Sequence, residues 1–407
     1  MIERITEVPP HRRRAPPLVP RTARWLLVAV VALILYGSLL PFAFEESTRL
    51  SLFAVAASLQ FERTSRGDIV ANLLLYMPLG LCMVAALPRS WSGFARFALA
   101  LAAGAALSLT VELLQTLEAA RVASLTDLAV NTAGTALGAV GALVYLAVGT
   151  QLKLPGLVES RPAPVPLGFV LLWLSYRLAP FVPTFDWQKF KDALKPVFVS
   201  PAFDGFEALR FLLAWLIVAQ AVRRIWRPEY ALLVLVLLAG GTLFGRILVV
   251  GKTLNLAEIV ALVLMFALLP FMQRLTTARR LLVLIVALTG IILIQGFEPW
   301  QFHATANEFS WVPFKNSLSD SLEIDMPALL EKCFWYGSLV WLLARRTGAL
   351  SASAIAVAVL VAAVEWVQRW IPGRSAEITD PLLVLGAAGL IGLLGPEPRK
   401  ASEPHVR

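Results

Sequence analysis

The chain has 407 residues, a mean hydropathy of +0.73, 58% hydrophobic and only 15% charged residues. Soluble domains lie near 45–50% apolar and 25% charged, so disorder, collagen, a disulfide scaffold and an ordinary soluble enzyme are set aside. The net charge of +9 would suggest nucleic acid in a soluble protein; here it reflects membrane topology, and no nucleic-acid partner is expected.

Taken in chain order, residues 1–24 form a proline-rich tail carrying Arg4, Arg12, Arg13, Arg14, Arg21 and Arg24. It is too long and too basic for a cleavable signal peptide and reads as a cytoplasmic tail. Apolar runs between charged or proline-rich breaks then predict about twelve spans, at 25–44, 69–88, 94–114, 126–148, 167–182, 208–222, 230–250, 254–272, 281–297, 328–344, 350–370 and 379–394. The tenth carries Glu331 and Lys332 near its start. With a cytoplasmic N-terminus, most arginines and lysines fall on the inner side, among them Arg89, Arg96, Arg223, Arg224, Arg279, Arg280, Arg345 and Arg346. The positive-inside bias therefore places both termini in the cytoplasm of a bacterial inner membrane. The loops near 45–67, 183–207 and 298–325 then face outward, with Trp187, Trp300 and Trp311 suited to an interface.

Cys82 and Cys333 lie far apart in apolar segments, and of His11, His303 and His405 two are in the tails. No thiolate or histidine metal site follows from that inventory, and neither a GxSxG elbow nor a phosphate loop is present. No cofactor is expected, and whether the protein is an enzyme stays open.

An internal similarity is carried by polar residues inside the spans, where they are costly and mark a site or a helix contact. VELLQTLEAARVASLTD (111–127) aligns without a gap with VEWVQRWIPGRSAEITD (364–380). Glu112, Gln115, Arg121, Thr126 and Asp127 match Glu365, Gln368, Arg374, Thr379 and Asp380. A weaker copy at 241–258 sets Glu258 against Asp127 and Lys252 against Arg121, with Leu243 and Arg246 replacing the glutamate and glutamine. The expectation is an all-α polytopic bundle of three four-helix repeats at 25–148, 166–275 and 280–395, the middle one degenerate, between the tails 1–24 and 396–407.

The first repeat resembles the VanZ family of small bacterial membrane proteins. The resemblance rests on DIVANLLLYMPLG (Asp68, Asn72, Pro78, Gly80), on Glu112, Gln115 and Arg121, and on DLAVNTAGTALG (Asp127, Asn131, Gly134, Gly138). Residues 311–394 match in part, from the WVPF stretch onward, with Val384, Ala387 and Ile391 departing from the asparagine and glycine pattern. The resemblance implies a multi-pass envelope protein, linked in some members to low-level glycopeptide resistance.

Within the first repeat Asp68 and Asn72, then Glu112 and Gln115, then Asp127, Asn131, Gly134 and Gly138, fall at helical spacings, so each set shares a face at the outer end of its helix. Together with Arg121 they suggest a shallow outer polar pocket, repeated by Glu365, Gln368, Arg374 and Asp380 with Asp325, Glu331 and Lys332. Four uses stay open: binding an anionic lipid or lipid-linked envelope precursor through Arg121 and Arg374, secondary transport, carboxylate-based hydrolysis, or a purely structural or assembly role for polar corners. The Gly134 and Gly138 pair reads as helix packing, and Arg177 as snorkelling or paired at a helix end.

Overall fold

The computed structural model describes residues 20–40, 42, 61, 65–117, 124–148, 164–315 and 322–395. Most of the basic N-terminal tail, the C-terminal tail and Arg121 lie outside the described residues. Among the described residues there are thirteen helices: α1 Pro20–Leu39, α2 Arg66–Ala86, α3 Gly93–Gln115, α4 Leu125–Val148, α5 Pro164–Leu178, α6 Trp187–Phe198, α7 Gly205–Ile225, α8 Pro228–Leu248, α9 Leu256–Arg274, α10 Thr277–Phe297, α11 Leu322–Thr347, α12 Leu350–Gln368 and α13 Thr379–Leu394. Among the described residues no strand forms; the extended contacts are two isolated bridges, Pro183 with Val249 and Ser310 with Glu377.

Each predicted span falls on a helix, and among the described residues nine helices are long and apolar enough to cross a bilayer. Helices α5 and α13 are apolar but shorter. The protein is thus an all-helical, multi-pass membrane bundle. Two span ends differ from expectation. Helix α1 stops at Leu39 and α5 at Leu178, where the sequence expectation ran to 44 and 182. The sequence places Pro41-Phe42 and Pro180-Phe181 there, and a proline has no N–H to continue the helix. The aromatic residue instead sits at positive φ, with its N–H on the last helical carbonyl: Phe42 to Leu39 at 2.7 Å and Phe181 to Leu178 at 2.8 Å. Pro299-Trp300 closes α10 the same way, Trp300 bonding to Phe297 at 2.7 Å.

The thirteenth helix, α6, forms inside the loop expected at 183–207. Asp186 caps it by accepting the Gln188 N–H at 2.9 Å. Its WQKFKDALKPVF sequence is amphipathic, and Trp187 and Phe198 are exposed. A short helix of this kind suits the membrane interface and not a span.

Three sets of helices share one pattern of contacts. In α1–α4 the second helix packs on the first, third and fourth, the third touches the first, and the fourth closes on the third. Helices α10–α13 repeat every one of these contacts. In α5–α9, with α6 left aside, the same contacts form except that α8 and α9 do not pack closely. The hydrophobic core divides differently. Helices α1–α4 hold two small cores of their own, around Ile34, Tyr76 and Leu79 and around Val84, Ala100 and Ala139. All the remaining helices except α6 share one large core. Its centre is α11, which packs on α5, α10, α12, α13 and also on α2. Trp173 against Trp215, Phe169 against Trp341 and Tyr176 against Phe334 form an aromatic seam between α5, α7 and α11, with ring centroids 4.4, 5.2 and 5.5 Å apart. This central position explains how α11 tolerates Glu331 and Lys332: protein surrounds it, so both charges find partners instead of lipid.

Helices α2 and α4 approach most closely where glycines remove side chains. A Cβ on Gly80 would stand 1.9 Å from the Thr135 carbonyl oxygen, and one on Gly138 would stand 1.9 Å from that of Met77. One on Gly134 would be 2.4 Å from that of Leu73. These obstacles are backbone atoms, so relief requires the helices to separate. Gly138→Ala should lower stability by about 1–3 kcal/mol in thermal unfolding of the detergent-purified protein. Gly141→Ala, where a Cβ meets nothing within 4 Å, should be neutral or slightly stabilising. Equal melting temperatures for the two variants would refute the close-packing account.

Candidate functional site

The antiparallel helices place two chemically distinct ends on the bundle. At one end α1, α3, α5, α8, α10 and α12 finish and α2, α4, α7, α9, α11 and α13 begin. The polar residues picked out in the sequence collect there. The opposite end carries Arg89, Arg96, Arg223, Arg224, Arg279, Arg280, Arg345 and Arg346.

In the first set, Glu112 is buried at the end of α3 and its Oε2 accepts the Ser124 N–H at 2.8 Å, across the corner. The Ser124 Oγ in turn accepts the Asp127 N–H at 3.2 Å and opens α4. Gln115 Nε2 reaches back to the Ser38 carbonyl at 2.7 Å, tying α3 to the last turn of α1. Asn72 Nδ2 lies 3.4 Å from Asp127 Oδ1, and Asn131 Nδ2 donates to Ser108 Oγ at 3.0 Å. Asp68 stands apart from these. It accepts from Ser65 Oγ at 2.8 Å while its N–H is capped by that oxygen at 3.0 Å, a reciprocal cap on the exposed first turn of α2.

The third set repeats the glutamate and glutamine bonds of the first. Glu365 is buried, and its Oε2 accepts the Glu377 N–H at 2.9 Å, the same separation of 12 residues as Glu112 to Ser124. Gln368 Nε2 donates to the Gly296 carbonyl at 2.9 Å, in the last turn of α10. Arg374 Nε and Nη2 bond the Glu298 and Gln295 carbonyls at 3.0 and 2.7 Å, so this guanidinium caps the end of α10. Asp380 is met by Lys332 Nζ at 2.7 Å and by the Tyr336 hydroxyl at 2.6 Å, both from α11.

The middle set solves the same corner with cations. Leu243 stands where the glutamate would be, and Arg246 bonds the Thr253 carbonyl through Nε at 3.0 Å and Nη2 at 2.6 Å. The fully buried Glu258, matching Asp127 and Asp380, is paired by two arginines: Arg177 directly, and Arg246 Nε at 3.3 Å. Arg177 stands four residues before Phe181, as Ser38 precedes Phe42 and Gly296 precedes Trp300. A long cation thus replaces a small residue whose carbonyl a glutamine would bond. The Arg177 guanidinium lies 4.5 Å from the Phe211 ring centre. Lys189 of α6 donates to the Arg246 and Ile247 carbonyls at 3.2 and 3.3 Å and to that of Lys252, capping α8. Asn255 Nδ2 bonds Glu207 Oε2 at 2.6 Å. Among the described residues the Lys252 ammonium makes no hydrogen bond and no ion pair. Burial, then Arg246 and Arg177, hold it below the ordinary lysine value, with Glu331 acting against them.

Residues 25–147 match the VanZ/LLP1 family model. The first unit is VanZ-like. No curated protein and no solved structure matches the chain.

The VanZ-like unit therefore holds Asn72 with Asp127, Glu112, Gln115 and Asn131 near one corner, while Asp68 caps a helix away from them. Most of these polar groups are engaged with backbone or with each other. Sequence reading missed Tyr336 as a partner of Asp380 and the Pro-aromatic turns that end α1, α5 and α10. The recurrence of Pro41-Phe42, Pro180-Phe181 and Pro299-Trp300 was the available signal. Among the described residues no group of three His, Cys, Asp or Glu is placed to hold a metal ion.

Glu112→Leu should strand the buried Ser124 N–H and lower stability by about 1–3 kcal/mol, whereas Glu112→Gln keeps an acceptor and should stay near wild type. Parallel Glu365 variants should behave alike. Thermal melts of the four purified variants decide this, and a Gln variant as unstable as the Leu variant would show that the charge, and not the corner bond, matters.

Proposed function

We propose that this VanZ-like membrane protein lies in the bacterial inner membrane with both termini cytoplasmic. There it binds the anionic headgroup of a lipid or lipid-linked envelope precursor at its outer, corner end. The three helix sets are read as copies of one unit, with the polar corners of the first and third units framing the site. The observation that carries the reading is the gathering of cations at the middle corner: Arg177 and Arg246 both pair with Glu258, and the half-buried Lys252 beside them makes no ion pair among the described residues, the opposing charge acting on it being that of Glu331. A phosphate would complete that arrangement. The lysines and exposed Trp187 of α6 beside it suit the headgroup layer. Arg121 and Arg374 remain candidate contributors in the flanking units. An effect on glycopeptide susceptibility would be the cellular consequence of holding an envelope precursor.

A second reading, a structural or assembly role without a ligand, is favoured by one specific fact. Glu112, Gln115, Glu365, Gln368 and Arg374 all bond backbone groups.

Native mass spectrometry of the purified protein separates the two. Lys252→Ala should cut retention of phosphorylated lipid about tenfold, with the melting temperature unchanged. Full retention in that variant would favour the structural role. The pH dependence has a definite sign. The ammonium binds an anion only while protonated, and its value is lowered, so lipid affinity should fall on raising the pH earlier than for an ordinary lysine. Lys252→Arg, which stays charged, should abolish the decline, and an identical decline in that variant would remove Lys252 from the site.

A further inference from the structure

At the opposite end of the bundle, α7, α9 and α10 leave a small crevice open to the surface. Its floor includes Leu269 and Met272, and its mouth carries Gln220, Arg223, Gln273 and Arg280. Neither guanidinium at the mouth forms an ion pair or hydrogen bond among the described residues. The Arg280 Nε is moreover buried without a partner there. Arg280 also lies in the first turn of α10, where the helix dipole opposes a cation, so the helix itself gives no reason for a charge at this point. Two unpaired arginines and two amides above an apolar floor match an amphiphile with a phosphate head and a hydrocarbon tail.

We propose that this crevice binds an anionic phospholipid of the leaflet opposite the corner end, its phosphodiester between Arg223 and Arg280 and the start of one acyl chain on Leu269 and Met272. The site is separate from the headgroup site proposed above, since the α8 and α9 helices carry the chain from one end to the other. The crevice itself has room for little more than a water-sized group, so the acyl chain continues along the outside of the bundle, where α10 presents the exposed Leu282 and Val283. The charge selects an anionic over a zwitterionic lipid, and the guanidinium forks offer two parallel bonds to a phosphate.

The full-length protein is purified in detergent and loaded with phosphatidylglycerol, with phosphatidylcholine, or with inorganic phosphate alone, and bound species are counted by native mass spectrometry. Wild type should retain phosphatidylglycerol in preference to phosphatidylcholine. Arg223→Gln and Arg280→Gln should each lower that retention about tenfold, and Arg279→Gln, on the exposed neighbour, should not. Met272→Trp, which fills the floor and leaves both arginines, should lower lipid retention while leaving any phosphate adduct in place. Unchanged phosphatidylglycerol retention in Arg223→Gln and Arg280→Gln overturns the proposal. So does retention lost to inorganic phosphate but unaffected by Met272→Trp, which would identify a free-anion site. Should Arg280→Gln fail to fold, Met272→Trp and Arg223→Gln carry the test. Lys252→Ala serves as the control for the other end: loss of lipid there alone supports only the corner-end reading, and loss in the Arg223 and Arg280 variants alone supports only this one.

Discussion

A peptide N–H that is buried at a helix corner inside a membrane has no water to bond, and this requirement organises the whole bundle. Each polypeptide turn at the corner end exposes the first N–H groups of the next helix and the last carbonyls of the previous one. The protein answers with side chains sent from a neighbouring helix. Glu112 and Glu365 take N–H groups from the following loop, and Gln115, Gln368 and Arg374 supply donors to the carbonyls that close α1 and α10. Polar residues inside apolar spans are thereby accounted for without a substrate. Any ligand site must be sought in what this scheme leaves over.

The three corners show how one geometry accepts different charges. An acidic residue opens the fourth helix each time, and the partners seen among the described residues include an amide, Asn72, for Asp127, a pair of arginines, Arg177 and Arg246, for Glu258, and a lysine with a tyrosine, Lys332 and Tyr336, for Asp380. Glu258 is fully buried, and its two arginines compensate a charge that would cost several kcal/mol if left alone. In the middle corner, degenerate when its sequence is compared with the others, two arginines pair with one carboxylate.

The fold class was legible because a span announces itself by length and apolarity alone, and every predicted span lies on a helix. Helix α6 was not, because its lysines and aromatics interrupt any apolar run while still falling on separate faces. The alignment of Glu112 with Glu365 located the corners correctly in sequence but could not tell that both side chains accept backbone N–H groups. Spacing states which residues share a face and says nothing of the partner across it. Arg177 was legible only as snorkelling or paired at a helix end; that its partner is Glu258 on α9, 81 positions along the chain, depends on the packing of α5 and α9 against α7, which only the tertiary structure supplies. The arginine-lined crevice was hidden for a similar reason. Its residues were counted as topology signals, and only the helix arrangement shows that two of them line one crevice with Leu269 and Met272.

The division of the hydrophobic core carries a consequence for biogenesis. Helices α1–α4 enclose two cores of their own, so most of this segment's packing is complete before the rest of the chain is made. Trp173 and Trp215, by contrast, belong to a core that is closed by Phe334, Trp341 and their neighbours on α11, more than a hundred residues further along the chain. The middle helices must therefore wait in the bilayer, with an unfinished face against lipid, until α11 is synthesised and slots between them. The last-made third of the protein acts as the keystone for the part before it, and a chain truncated after α9 would leave one finished body beside one that cannot close.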